Sequence, residues 1–154
     1  MKIGVISDTH GFWDPKIAES FAGVGHILHG GDIGPPGILG ELERIAPVTA
    51  VAGNTDDPAL RYAPLKTVEL TGRKFLLQHI VHPRDLTETL KERLARERPD
   101  AVVFGHTHQR FCERLKGILY LNPGYAGEPK FGATRSVAIA HCDGDGIRVE
   151  YVEL

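Results

Sequence analysis

A chain of 154 residues is the size of one domain and long enough to bury a hydrophobic core, so residues 1–154 are read as a single domain. With 42% hydrophobic and 25% charged residues it is neither disordered nor fibrous, and a formal net charge of -2 supplies no basic excess for gripping extended nucleic acid. No apolar run is long enough to span a bilayer, and MKIGVISDTHG turns polar too soon for a secretory signal, which predicts a cytoplasmic protein with no membrane partner.

Residues 2–7 form an apolar run that reads as a strand buried on both faces, ending in Asp8-Thr9-His10-Gly11. Asp14-Pro15 opens a helix to about Ala22, with Ile17, Ala18 and Phe21 at helical spacing. His26–His29 is a short strand stopped by Gly30-Gly31-Asp32, residues 38–45 an amphipathic helix, and Val48–Ala52 a strand stopped by Gly53-Asn54. This alternation predicts a parallel βαβαβ core with right-handed crossovers. Further on, 67–70 and 74–78 flank a hairpin turn at Thr71-Gly72-Arg73, and Asp85–Arg98 carries Leu86, Leu90 and Leu94 on one helical face. Ala101–Phe104 is a buried strand running into Gly105-His106-Thr107-His108. The segments 118–121, 136–141 and 147–152 read as antiparallel strands, the last two joined through Asp143-Gly144-Asp145-Gly146. Cys112 and Cys142 match no zinc-ligand spacing and are taken as reduced thiols.

Metal-ligating residue types gather just after the apolar strands: Asp8 and His10, Asp32, Asn54, His79, then His106 and His108. In an open α/β sheet the carboxyl ends of parallel strands share one edge, so residues a hundred positions apart can converge there. Four histidines beside carboxylates suit two borderline divalent ions, manganese first among iron, zinc, nickel and cobalt, better than an all-oxygen calcium or magnesium cage. Two such ions about 3.5–4 Å apart clamp an in-line displacement at phosphorus, and a carboxylate must bridge them. Asp32 is the expected bridge.

The order D-x-H, G-D, G-N, a single H and G-H-x-H, spanning positions 8 to 108, resembles the calcineurin-like metallophosphoesterase superfamily. His29 ahead of Gly31-Asp32 and the later Asn122-Pro123-Gly124 are similar to its small bacterial and archaeal phosphodiesterase branch. The resemblance implies an α/β fold, a four-layer α/β/β/α sandwich of two mixed sheets flanked by helices. It implies one ion held by Asp8, His10, Asp32 and His108 and another by Asp32, Asn54, His79 and His106. It also implies a metal-dependent phosphoesterase, read as a phosphodiesterase, in which a metal-bridging hydroxide attacks phosphorus in a small phosphoester while Asn54 and His106 stabilise the equatorial oxygens. A homo-oligomer stays open.

The chain departs from the family pattern in three places: Thr55 follows Gly53-Asn54 where a histidine would serve as an acid, Ile80 replaces a glycine after His79, and Tyr125 replaces a serine after Asn122-Pro123-Gly124, with Pro129-Lys130 where a Pro-Arg ending is expected. Each site residue also has an ordinary reading, since Asp8, Asp32 and Asn54 are common turn residues and His79 can simply end a strand. Their place in the series raises them above it. His29 is read either as a side chain that orients Asp32 or as a strand residue, His82 as an acid or a loop residue, Asp56 as a proton donor or a turn acid, and Phe12 and Trp13 as a pocket wall or as packing. Two other functions compete: a non-catalytic interaction scaffold, as in a subunit of the eukaryotic retromer complex, and a metal hydrolase acting at carbon.

Overall fold

The computed structural model describes residues 1–154. Five strands form the first sheet: β1 (Lys2–Ile6), β2 (His26–His29), β3 (Val48–Ala50), β9 (Ser136–Asp143) and β10 (Gly146–Glu153), in the order β10-β9-β1-β2-β3. The second has the order β4-β5-β6-β8-β7, from β4 (Leu65–Leu70), β5 (Arg73–Gln78), β6 (Ala101–Val103), β7 (Arg110–Leu115) and β8 (Ile118–Pro123). Helices α1 (Lys16–Ser20) and α2 (Gly37–Glu43) cross over between the parallel strands β1, β2 and β3, and α3 (Glu88–Glu97) joins the parallel pair β5 and β6.

Strand periodicity sorts the side chains into three cores, and the three cores make four layers. Ile3 and Val5 of β1 point at the other sheet, meeting Phe75 and Leu77 of β5, Val103 of β6 and Leu121 of β8. On the opposite face, Ile6 and Ile27 pack under Ile17 and Phe21 of the first helical layer and Leu42 of α2. Gly4 leaves room for the flat approach of Phe21, whose ring would lie 3.0 Å from an added Cβ. The outer face of the second sheet covers Leu90 and Leu94 of α3 with Leu76, Val102 and Phe104. Each buried Leu, Ile or Phe side chain contributes roughly 1.5–3 kcal/mol, so these stripes, and not helix propensity, hold three short helices in place.

Element ends follow local chemistry. The first helix is shorter than the 14–22 expectation because Pro15 sits at its cap, with Asp14 Oδ1 accepting the Lys16 N–H at 2.9 Å. The third begins at Glu88, not Asp85, since the Thr87 hydroxyl accepts the Leu90 N–H at 3.2 Å and caps it. Segment 118–121 was expected in an antiparallel set; β8 is antiparallel to β7 but parallel to β6. Strand β7 has no counterpart in the sequence reading. It is an edge strand whose Arg110, Glu113 and Arg114 stay exposed, so its apolar alternation reduces to Phe111 and Leu115.

Candidate metal centre

The carboxyl ends of β1, β2 and β3 deliver Asp8, His10, Asp32 and Asn54, and the carboxyl ends of β5 and β6 deliver His79, His106 and His108. The site therefore sits on the seam between the two sheets. Its backbone is strained: Asp8, His10, Asp32, His106 and His108 have φ of 57°, 47°, 53°, 73° and 61°, in the left-handed region. Each such non-glycine residue costs on the order of 1 kcal/mol or more, which persists only where the surroundings dictate it. Here the Asp8 N–H donates to Gly31 O at 3.0 Å and the His10 N–H to Asp32 O at 2.9 Å, zipping the first loop to the second. Close approach does the rest, because a side chain at Gly53 would strike Asp32, and one at Gly105 would strike Ser7 and Asp8.

Two groups of donor atoms result: Asp8, His10 and His108 in one, and Asp8, Asp32 and His79 in the other. Each carboxylate has one oxygen held by the chain and one turned inward. Asp8 Oδ2 accepts from the Ser7 hydroxyl at 2.7 Å and the His106 N–H at 3.1 Å. Its Oδ1 lies 3.3 Å from His108 Nε2 and 3.8 Å from both His10 Nε2 and His79 Nε2. Asp32 Oδ1 accepts the Thr55 N–H at 2.9 Å, while Oδ2 lies 3.2 Å from His79 Nε2 and 3.8 Å from His10 Nε2. Asn54 and His106 form an exposed outer pair, with His106 Nδ1 3.0 Å from Asn54 Oδ1 and its ring edge-on to His79.

Whether these residues fit a cation is decided by their lone pairs. His79 Nδ1 donates to Gly30 O at 2.7 Å, and a carbonyl brings no proton, so Nε2 carries the free lone pair. That atom and Asp8 Oδ1 are buried without any hydrogen-bond partner, and both face Asp32 Oδ2 or each other. Three acceptors converging in a dry space repel unless a positive ion lies among them. The donor set fits divalent metal. Burial drives the Asp8 carboxyl above its ordinary value despite Ser7, His79 and His108. Burial acts the same way on Asp32, but Thr55, His79 and His10 outweigh it and hold that carboxyl below the usual range.

Several neighbours turn out to be braces. His29 is fully buried; its Nδ1 accepts the Gly31 N–H at 3.1 Å, so Nε2–H donates to the Thr9 hydroxyl at 3.0 Å, and Thr9 donates on to Ile33 O. It thus fixes the loops that carry Asp8 and Asp32 without touching either carboxylate. Asp56 accepts the backbone N–H groups of Ile33, Gly34 and Gly53 at 2.8–3.1 Å, tying the Asp32 loop to the Asn54 loop, which is the work of a turn acid and not of a proton donor. Asn122 Nδ2 donates to Gly105 O and to the Thr107 hydroxyl, bracing the last loop. Tyr125 stacks on His108 with ring centroids 4.6 Å apart. Trp13 is half-buried against the core beneath the first two helices, His141 pairs with Glu150 at the surface, and His82 lies in an exposed turn.

Burial pulls His29 down to about 3 from 6.5, so the folded protein binds its proton later than the unfolded chain. Stability from this residue is present above pH 6.5 and is lost as pH falls toward 3, by about 5 kcal/mol over the window. Urea unfolding of the metal-free protein across that range is expected to show the slope, and His29→Gln, which keeps a donor and an acceptor without titrating, to flatten it. An unchanged slope in the variant would assign the acid sensitivity elsewhere.

Comparison with known proteins gives the family and the fold. The profile of the calcineurin-like phosphoesterase superfamily domain matches residues 1–145. A probable metallophosphoesterase of Methanothermobacter thermautotrophicus is 34% identical over 163 aligned positions, covering 99% of this chain and 92% of its own. A phosphodiesterase of Methanocaldococcus jannaschii is 31% identical over 143 positions, covering 80% and 83%. Among solved structures, an archaeal phosphodiesterase superposes with a TM-score of 0.81 at 26% identity over 100% of both chains. A single mutant of Vps29 from Entamoeba histolytica superposes with a TM-score of 0.76 at 19% identity over 100% of this chain and 99% of that one, a likeness of fold.

Proposed function

The chain belongs to the calcineurin-like phosphoesterase superfamily, and from that premise we propose that it is a dinuclear metal-dependent phosphodiesterase acting on small phosphoesters as a single cytoplasmic domain. The observation that carries this reading is the pair of buried, partnerless atoms, Asp8 Oδ1 and His79 Nε2, converging with Asp32 Oδ2. Such a cluster is unfavourable until a cation fills it, which supports a metal-dependent activity.

In this reading Asp8, His10, Asp32 and His108 hold one ion, and Asp32, Asn54, His79 and His106 the other, with Asp32 shared. When bound, two divalent ions, manganese foremost, supply the Lewis acidity that activates water and neutralises phosphoryl charge for in-line displacement. The chain's own contribution is orientation. Gly30 O fixes the His79 tautomer, Thr55 N–H turns one Asp32 oxygen outward, and His106 N–H does the same for Asp8. Asn54 and His106, at the exposed mouth, are assigned to the equatorial phosphoryl oxygens. Position 55 is a threonine, whose hydroxyl is no acid at neutral pH, and Asp56 is fully engaged with backbone donors. Departure of the product alcohol therefore depends on its own acidity, which favours diesters with good leaving groups.

Chelation of the purified protein is expected to abolish hydrolysis of bis(p-nitrophenyl) phosphate, and Mn²⁺ to restore it. A fully metallated sample that turned over neither diesters nor monoesters would sink the proposal.

A further inference from the structure

The site is flanked by two grooves of opposite character. On the His108 side, a groove of about 520 Å³ runs between Thr107–Arg110 and the segment Gly132–Thr134. Its walls carry Gln109, Arg110, Thr107 and Thr134 and no carboxylate. On the His79 side, a shallower groove of about 380 Å³ is lined by Ala52, Pro64, Leu65 and Ile80 beside Asn54 and His79. Each groove thus borders a different half of the ligand cluster: His108 belongs to one half, His79 to the other.

The exposed apolar side chains fall in the same places. Only Met1, Ile80 and Phe131 leave a large apolar side chain exposed, and two of the three adjoin these grooves. Ile80 lines the second groove, and Phe131, wholly exposed, precedes the residues that form the far wall of the first. Beside Phe131, the Lys130 ammonium lies 4.4 Å from the Tyr125 ring centroid, and that ring stacks on His108. Next to the groove, the chain thus carries an exposed aromatic side chain and an ammonium, on the two residues that lead into its far wall. The Arg110 guanidinium is already engaged: its Nε donates to the Ser136 hydroxyl at 3.1 Å, a terminal nitrogen lies 3.7 Å from the exposed Glu153, and Cζ lies 4.9 Å from the Tyr151 ring centroid.

A phosphodiester carries two ester substituents, and a monoester needs only one groove. An aromatic ring joined to oxygen acceptors matches this edge of the site: stacking on Phe131, acceptors toward Lys130 and Gln109. Resting on the phosphodiesterase reading above, we propose that the groove between Thr107–Arg110 and the 130–134 loop receives the nucleoside arm of a phosphodiester, selected by Lys130 and Phe131, while the second, smaller arm lies over Ile80.

The test compares two esters in the manganese-loaded protein: the p-nitrophenyl ester of thymidine monophosphate, and methyl p-nitrophenyl phosphate, which has no nucleoside. Phe131→Ala and Lys130→Ala are each expected to lower the ratio of kcat/KM for the nucleoside ester to that for the methyl ester by about tenfold, the size of one lost base-stacking contact. The dissociation constant of thymidine monophosphate, read by calorimetry, should rise by a similar factor, at unchanged metal content. A wild type that cleaves both esters, with variants that leave their ratio and the dissociation constant unmoved, overturns this inference alone. A wild type that cleaves neither ester overturns the phosphodiesterase reading and the inference with it.

Discussion

Asp32→Asn is expected to strip both ions from the protein and to lower kcat/KM toward an aryl phosphodiester roughly 10³-fold, because several kcal/mol of charge stabilisation leave with the metal. The substitution is nearly isosteric. Its side-chain oxygen can keep the Thr55 N–H, now 2.9 Å from Asp32 Oδ1, so the loop stays in place. What then faces His79 and His10 is an amide nitrogen, which has no lone pair to offer a cation. If the amide turned around, it would leave the Thr55 N–H without an acceptor. Asp8→Asn is expected to lose one ion, since Asp32 still serves the other half. Elemental analysis alongside steady-state kinetics separates the two variants. Asp8 Oδ1 reaches His108, His10 and His79, so the opposite pattern, with Asp8→Asn losing both ions and Asp32→Asn one, would move the bridge to Asp8.

The second large effect is on stability, and it changes sign with metal. A ligand present at 1,000 times its dissociation constant stabilises by about 4 kcal/mol, and a chain of this length gains roughly 2–4 °C per kcal/mol. Chelation should therefore lower the melting midpoint of the wild type by on the order of 10 °C. Asp8→Asn should behave in the opposite way once both proteins are metal-free. The folded Asp8 carboxyl titrates above 3.8, so its contribution to stability is intact below 3.8 and lost as pH rises through the folded value. At neutral pH the metal-free wild type carries a buried anion facing lone pairs, and the amide removes that charge. A gain of about 1–3 kcal/mol is expected, the usual size of a relieved buried polar conflict. Thermal melts at pH 7, with and without chelator, check both statements; a metal-free Asp8→Asn protein that melts below metal-free wild type would refute the second.

Much of this is legible in the residues alone. The strands at 2–6, 26–29 and 101–103 are short apolar runs ending in glycine and a polar cluster, and that punctuation is local in sequence. The order of the metal-ligating residue types along the chain is local too, and it led to the α/β sandwich and to one edge of it. The braces were not legible. His29 binds Thr9 and Gly31, and Asp56 binds Ile33, Gly34 and Gly53, and these partnerships exist only after three strand ends come together. Nothing in the residue types at those positions distinguishes a brace from a ligand or a surface acid. Strand β7 was missed because an edge strand with charges on its open face has almost no alternation to detect. The left-handed backbone at Asp8, His10, Asp32, His106 and His108 is not legible for another reason: Asp and His enter that region more readily than most residues, but they do so only where the neighbouring loops impose it.

The seam on which the site lies makes catalysis answerable to the deep interior. Asp8, His10, Asp32 and Asn54 ride on one sheet, His79, His106 and His108 on the other, and what sets the distance between those two blocks is the layer of Ile3, Val5, Phe75, Leu77 and Val103 beneath them. A methyl group gained or lost in that close-packed layer is expected to be felt where the two blocks meet, at the site. On the proposed reading, substitutions in that core layer are expected to change the rate while leaving the seven proposed ligands untouched.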